Sequence, residues 1–201
     1  MSDTTEIKRK ILLMADKVYN GLNLIEKGFM ENRLDHLADA MKEENIINEM
    51  QKILTRKIVE LSKTEKESSG KAQLAALEQV IATLERIGDE TANLAERIEI
   101  KVVEKLLFSD LGVQQFIETF DATKKSVEMM REFLKNMTPE LKDKIVDNGF
   151  RVKNMVERYR KEHFDRLVKG LCTPMAANMY FDMLDFAGNI ARHSSNIVKL
   201  F

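Results

Sequence analysis

A chain of 201 residues with 44% apolar and 32% charged side chains is long enough to bury a substantial core and too apolar to be disordered. Its net charge of −1 leaves no global field to attract nucleic acid, and the longest unbroken apolar run, Ile11 to Ala15, is far short of the ~20 residues that span a bilayer. Glycine (8) and proline (2) are scarce and methionine (12) is plentiful, a composition that favours long helices over sheet.

Six amphipathic segments follow in chain order, each read from apolar residues recurring at three- and four-residue steps. The first runs from about 6 to 32 along Ile7, Ile11, Met14, Val18, Leu22, Ile25 and Phe29, with Asp3 and Glu6 as a capped start. The second covers about 34 to 66, through Leu37, Met41, Ile47, Met50, Leu54, Ile58 and Leu61, and residues 67–70 (Glu-Ser-Ser-Gly) read as a turn. The third covers about 71 to 107, through Leu74, Leu77, Ile81, Leu84, Ile87, Leu94, Ile98 and Val102. Ser109 and Asp110 cap a fourth that carries Phe116, Phe120, Val127, Met130 and Leu134. Thr138-Pro139 and Thr173-Pro174 each place a capping hydroxyl before a proline at the first helical position, and start a fifth helix (139 to 169) and a sixth (174 to the end). No segment sustains period-two alternation, so the expected class is all-α without sheet.

The region 107–109 divides the chain into halves of three helices each, 1–108 and 109–201, which reads as an internal repeat. Residues 85–94 lie over 188–197 at an offset of 103, pairing Ile87 with Ile190 and Asn93 with Asn196. The second and fifth helices superpose at an offset of 106, pairing Asn48 with Asn154 and Leu61 with Leu167.

The sharpest chemical feature is on the third helix. Glu85 and Asp89 stand one turn apart on the same face, and like charges so placed repel by a few tenths of a kcal/mol unless something offsets them. Glu44 and Asn48 repeat that spacing on the second helix. If the two helices are antiparallel neighbours, these four side chains form an oxygen-rich set suited to a hard cation or iron. Against this stands the ordinary reading: carboxylates four apart are common on solvated helix faces, and nearly one-third of this chain is charged.

Residues 84–89 (Leu-Glu-Arg-Ile-Gly-Asp), followed by 92–96 (Ala-Asn-Leu-Ala-Glu), resemble the signature of the PhoU family, and 193–197 (His-Ser-Ser-Asn-Ile) is similar to its second copy. Residues 108–110 and the stretch 160–172 resemble in particular the PhoU-like cytosolic tails of sodium/phosphate cotransporters. The resemblance covers essentially the whole chain. It implies two tandem three-helix bundles of six long antiparallel helices and a non-enzymatic regulator of phosphate transport and phosphate signalling. That regulator would work by protein contact with a phosphate transporter or a phosphate-sensing kinase, as a cytoplasmic homodimer. It also implies metal sites, often iron, on the acidic motifs. Carried over position by position, Glu44, Glu85 and Asp89 match, whereas Asn48 stands where Asp is usual. In the second half Phe150, Gly188 and Arg192 replace the acidic residues, so a metal ion, iron or another divalent cation, is expected in the first repeat only.

Other features are weaker. His36, His163 and His193 have no partners at metal or catalytic spacing, and His163, in a charged stretch, is expected to be exposed. Cys172, with no base or second cysteine identifiable nearby, reads as an ordinary thiol, and its being single fits a reducing compartment. Residues 151–169 carry seven basic against three acidic side chains, which could meet a membrane surface peripherally, although a solvated face is the plainer account. Met129, Met130, Met155, Met175, Met179 and Met183 are expected to fill the bundle core. A ferritin-like di-iron enzyme would need Glu-x-x-His on two helices, and no histidine has a glutamate three residues before it. No phosphate-cradling glycine loop or nucleic-acid-binding module is present, and the alternatives are a cytosolic regulatory domain related to a sodium/phosphate cotransporter, as the resemblance implies, or a purely structural helical interaction protein.

Overall fold

The computed structural model describes residues 3–201. Among them six α-helices account for nearly all of the chain and no strand occurs: α1 (Asp3–Glu31), α2 (Leu34–Thr64), α3 (Ser68–Val103), α4 (Asp110–Asn136), α5 (Pro139–Val168) and α6 (Pro174–Val198). Each helix forms where its apolar stripe can be buried. All seven stripe residues of α1 are 5% exposed or less. On α2 and α3 the same holds for Leu37, Ile47, Leu54 and Ile58, and for every expected position from Leu74 to Ile98.

The ends follow local chemistry. Ser109 Oγ accepts from the Gly112 amide at 3.2 Å, and Thr173 Oγ1 accepts from the Ala176 amide at 3.3 Å, so two caps form as expected. Thr138 sets the extended backbone before Pro139 but makes no side-chain cap bond. Asp3 and Glu6 lie in the first turn of α1 and hold Lys57 of α2. One turn is displaced from its expected place. Residues 68–70 are helical and the break falls at 65–67. Gly70 lies in the first turn of α3 without a left-handed backbone, against the movable Glu65 side chain.

Helices α1, α2 and α3 pack on one another, as do α4, α5 and α6. The two triplets join where α1 meets α4 and α3 meets α6. The Phe29 and Phe116 rings lie 4.7 Å apart at the first contact, and Arg97 reaches Asp182 at 2.9 Å at the second. Lys124–Glu26 and Arg131–Asp16 add two further cross-links between α4 and α1.

The antiparallel order brings three connections to one end of the bundle. Lys101 Nζ donates to Asn32 Oδ1 at 2.6 Å, tying the α3 end to the α1–α2 turn. Arg166 donates to Gln115, and Phe108 lies edge-on to Tyr180 at 5.7 Å, placing the α3–α4 connection beside the α5–α6 turn. No helix among the described residues is long and apolar enough to cross a membrane.

Candidate functional site

Gly88 lets α2 and α3 approach closely, since a Cβ there would lie only 3.2 Å from Ile47 Cγ2. The four candidate ligands flank this contact: Glu44 and Asn48 one helical turn apart on α2, Glu85 and Asp89 one turn apart on α3. Burial raises the Glu85 carboxyl above its ordinary pKa, and the negative charges of Asp89 and then Glu44 add to that, against an opposing contribution from Arg86. Burial likewise raises Asp89. The acids of the two helices therefore act on one another across the groove, as the antiparallel arrangement requires.

Asn48 donates through Nδ2 to Glu44 Oε1, and its own Oδ1 is buried without a hydrogen-bond partner. A buried acceptor without a donor costs about 1–3 kcal/mol. A hard cation would satisfy it, because an amide oxygen and carboxylates are its ordinary ligands. In donor type the set fits such an ion. In convergence it is incomplete, for among the described residues no three of His, Cys, Asp and Glu come together at metal-holding distances. Beside the set, Glu43 pairs with Lys17 at 2.9 Å, whereas Glu44, Glu85 and Asp89 make no ion pair among the described residues, Arg86 acting on Glu85 only from beyond ion-pair distance.

At the corresponding place in the second triplet, Phe150, Gly188 and Arg192 line a groove between α5 and α6, so three of the four superposed positions fall together there too. None of the three can ligate a cation.

The sequence reading missed a polar cluster at the end of α5. His163 is 1% exposed rather than solvated. Its ring stacks on Tyr180 with centroids 4.1 Å apart and meets the edge of Phe181. Arg166 Nη2 lies 2.9 Å from its Nδ1, and Cys172 Sγ lies 3.7 Å from its Nε2. Burial, then the charge of Arg166, depresses the ring pKa to about 4. The guanidinium can only donate, so Nδ1 accepts and the ring proton sits on Nε2, facing the sulfur. His163 is thus a partner of Cys172, contrary to the expectation of none, but it offers that thiol a donor rather than a base. Gln115, which bonds Glu162, Arg166 and the Tyr180 hydroxyl, completes the cluster. The only sequence signal was helical spacing: Val152, Val156, Tyr159 and His163 follow one stripe of α5.

Residues 11–98, which contain all four candidate ligands, match the PhoU domain. No curated protein matches the sequence. In solved structures the chain is similar to PhoU from Pseudomonas aeruginosa, at TM-score 0.91 and 16% identity over 98% of this chain and 93% of that one. It is also similar to the phosphate transport system regulatory protein PhoU from Streptococcus pneumoniae, at TM-score 0.87 and 13% identity over 98% and 92%. A putative PhoU-like phosphate regulatory protein from Shewanella oneidensis MR-1 aligns at TM-score 0.69 and 12% identity over 96% of each chain. Residues 11–98 therefore match the PhoU domain that the sequence resembles, and the chain shares the all-helical fold of the solved PhoU structures over 98% of its length.

Proposed function

We propose that this protein is a non-enzymatic cytoplasmic regulator of phosphate transport that acts by contact with a phosphate transporter or a phosphate-sensing kinase. The observation that carries the reading is the PhoU domain at residues 11–98 on a fold similar, over 98% of the chain, to a phosphate transport system regulatory protein. A contact role is supported by the end of the bundle described above. Nine of the sixteen exposed large hydrophobic side chains among the described residues lie there, including Leu107 at 87%, Val168 at 71% and Leu171 at 66%. Apolar side chains gathered in this way mark interaction sites. We read the chain as a tandem duplication, 1–108 and 109–201, which the two mutually packed triplets support.

The test is genetic. Deleting the gene should leave phosphate uptake and alkaline phosphatase high in phosphate-rich medium. Unchanged uptake and phosphatase in rich and starved cells would sink the reading. Leu107→Asp with Leu171→Asp should reproduce the deletion while leaving the helical circular dichroism spectrum intact.

For the acidic set we propose one divalent cation, iron or another, whose binding draws together Glu44, Glu85, Asp89 and the Asn48 amide oxygen, side chains that do not converge at metal-holding distances without it. The orphaned Asn48 acceptor and the half-buried Glu85, raised by burial and by Asp89, support this. Titrating the purified protein with Mn²⁺ or Fe²⁺ should give one site, lost in Glu85→Gln and tightened by Asn48→Asp. Equal binding by wild type and Glu85→Gln would rule it out.

A further inference from the structure

The groove between α5 and α6 occupies the place that the acidic set takes in the first triplet, and its chemistry is opposite. Its volume is about 710 Å³. The floor exists because the helices meet at their smallest residues. A Cβ at Gly188 would lie 3.2 Å from Val156 Cγ2, and one at Gly149 would run into the Ser195 hydroxyl. The lining extends from Val146 to Arg160 on α5 and from Asp185 to Lys199 on α6. Each span is about 21 Å of helix at ~1.5 Å per residue, so the groove is a trench about four turns long rather than a compact hole. Phe150 stands at its rim, 58% exposed with no apolar cover.

The walls carry Lys153, Arg160, Arg192 and Lys199 against only Glu157 and Asp185. Lys153 is offset by Glu157 at 3.7 Å, and Arg160 by Asp185. The other two cations have no such partner. Arg192 bonds the Asn189 amide oxygen at 3.2 Å and lies 3.4 Å from His193. Glu90 of α3, the carboxylate within electrostatic reach of Arg192, takes a hydrogen bond from Asn189 at 3.1 Å. Lys199 makes no ion pair among the described residues. Arg192 of α6 and Lys199, the helical-conformation residue that caps its C-terminus, are seven residues apart, hence on one face and about 10.5 Å apart along it.

We infer that this trench docks an amphipathic helix of a partner protein that lays an apolar face on Phe150, Val146 and Val156 and presents carboxylates two turns apart to Arg192 and Lys199. A helix-length trench with apolar side chains along it is the receptor form of helix-in-groove recognition, in which apolar anchors recur at three- and four-residue steps. The unbalanced charge selects an acidic helix over a basic one, because like charges across an interface are costly. The inference is independent of the metal proposal and of the phosphate reading.

The probe is a fluorescein-labelled synthetic peptide of about 16 residues, four turns of helix, with Leu on one face and Glu flanking it. Its control carries Lys in place of Glu. Fluorescence anisotropy with the full-length protein should show saturable binding of the acidic peptide that weakens with added salt, and none of the basic one. Arg192→Glu with Lys199→Glu should weaken the acidic peptide about tenfold or more and confer binding of the basic peptide. If that variant loses helical circular dichroism, Arg192→Gln with Lys199→Gln provides the same weakening without charge reversal. Glu85→Gln, which removes the metal candidate, should bind the acidic peptide as wild type does. Equal affinity for the two peptides, or an acidic affinity untouched by the α6 changes, overturns the inference. So does a homodimer in light scattering that dissociates on Arg192→Glu with Lys199→Glu, since the trench would then hold a second copy of the chain.

Discussion

His163 and His193 are buried as neutral rings, and both have pKa values pushed down to about 4. Burial is the main cause in each, followed by Arg166 for the first and by Arg192 and Arg86 for the second. The unfolded chain takes up protons near pH 6.5, while the folded one does not until about pH 4. Between those values the unfolded state binds more protons, so stability is whole above pH 6.5 and falls as the pH drops toward 4. The expected loss is up to about 3 kcal/mol per ring, readable as a fall in urea midpoint between pH 7.5 and pH 5. His163→Gln should flatten that dependence, and an unchanged pH slope would contradict the assignment. Burial of His163 was hidden in the sequence because its neighbours Lys161, Glu162, Phe164 and Asp165 are charged or exposed. Only the spacing from Val156 and Tyr159 pointed inward. Its contact with Cys172 crosses a turn and could not be read from spacing at all.

At the level of the helices, the acidic set depends on how near α2 comes to α3. Gly88→Val would force Ile47 aside, and overpacking of this kind costs about 1–3 kcal/mol. A urea melt should show that loss, with partial recovery when Ile47→Ala is added, and a melt like wild type would mean that the contact is soft. At the start of α4, Ser109→Ala removes the bond to the Gly112 amide and should cost about 1 kcal/mol in the same measurement. The first three helices were legible because apolar stripes of seven or eight residues admit no other period, and the last two because a capping threonine and a proline mark where each begins. Their ends were less so. Gly70 looked like a turn signal in one dimension, yet it lies inside the first turn of α3 and the chain breaks at 65–67 instead. Of the candidate site, the residue types and their pairing across α2 and α3 were legible. That Asn48 turns its amide nitrogen to Glu44 and leaves its oxygen unsatisfied depends on a rotamer that sequence does not encode.

Across the molecule, α1–α4 and α3–α6 contacts weld the triplets through aromatic packing and ion pairs. Phe116, 1% exposed, packs on Phe29 from the first triplet and on Phe120 from its own. Phe116→Ala should destabilise by about 3–5 kcal/mol. Because the residue serves both triplets, one unfolding transition should move as a whole. Calorimetry that resolved two transitions, with only one shifted, would show the triplets melting separately. The apolar side chains collected around the three connections at one end carry a geometric corollary. A molecule that seats itself by its tip stands upright on whatever it touches, with its flanks turned outward. The anionic flank of the first triplet and the cationic trench of the second would both stay reachable in that pose. One copy could then be moored at its foot while being questioned from the side.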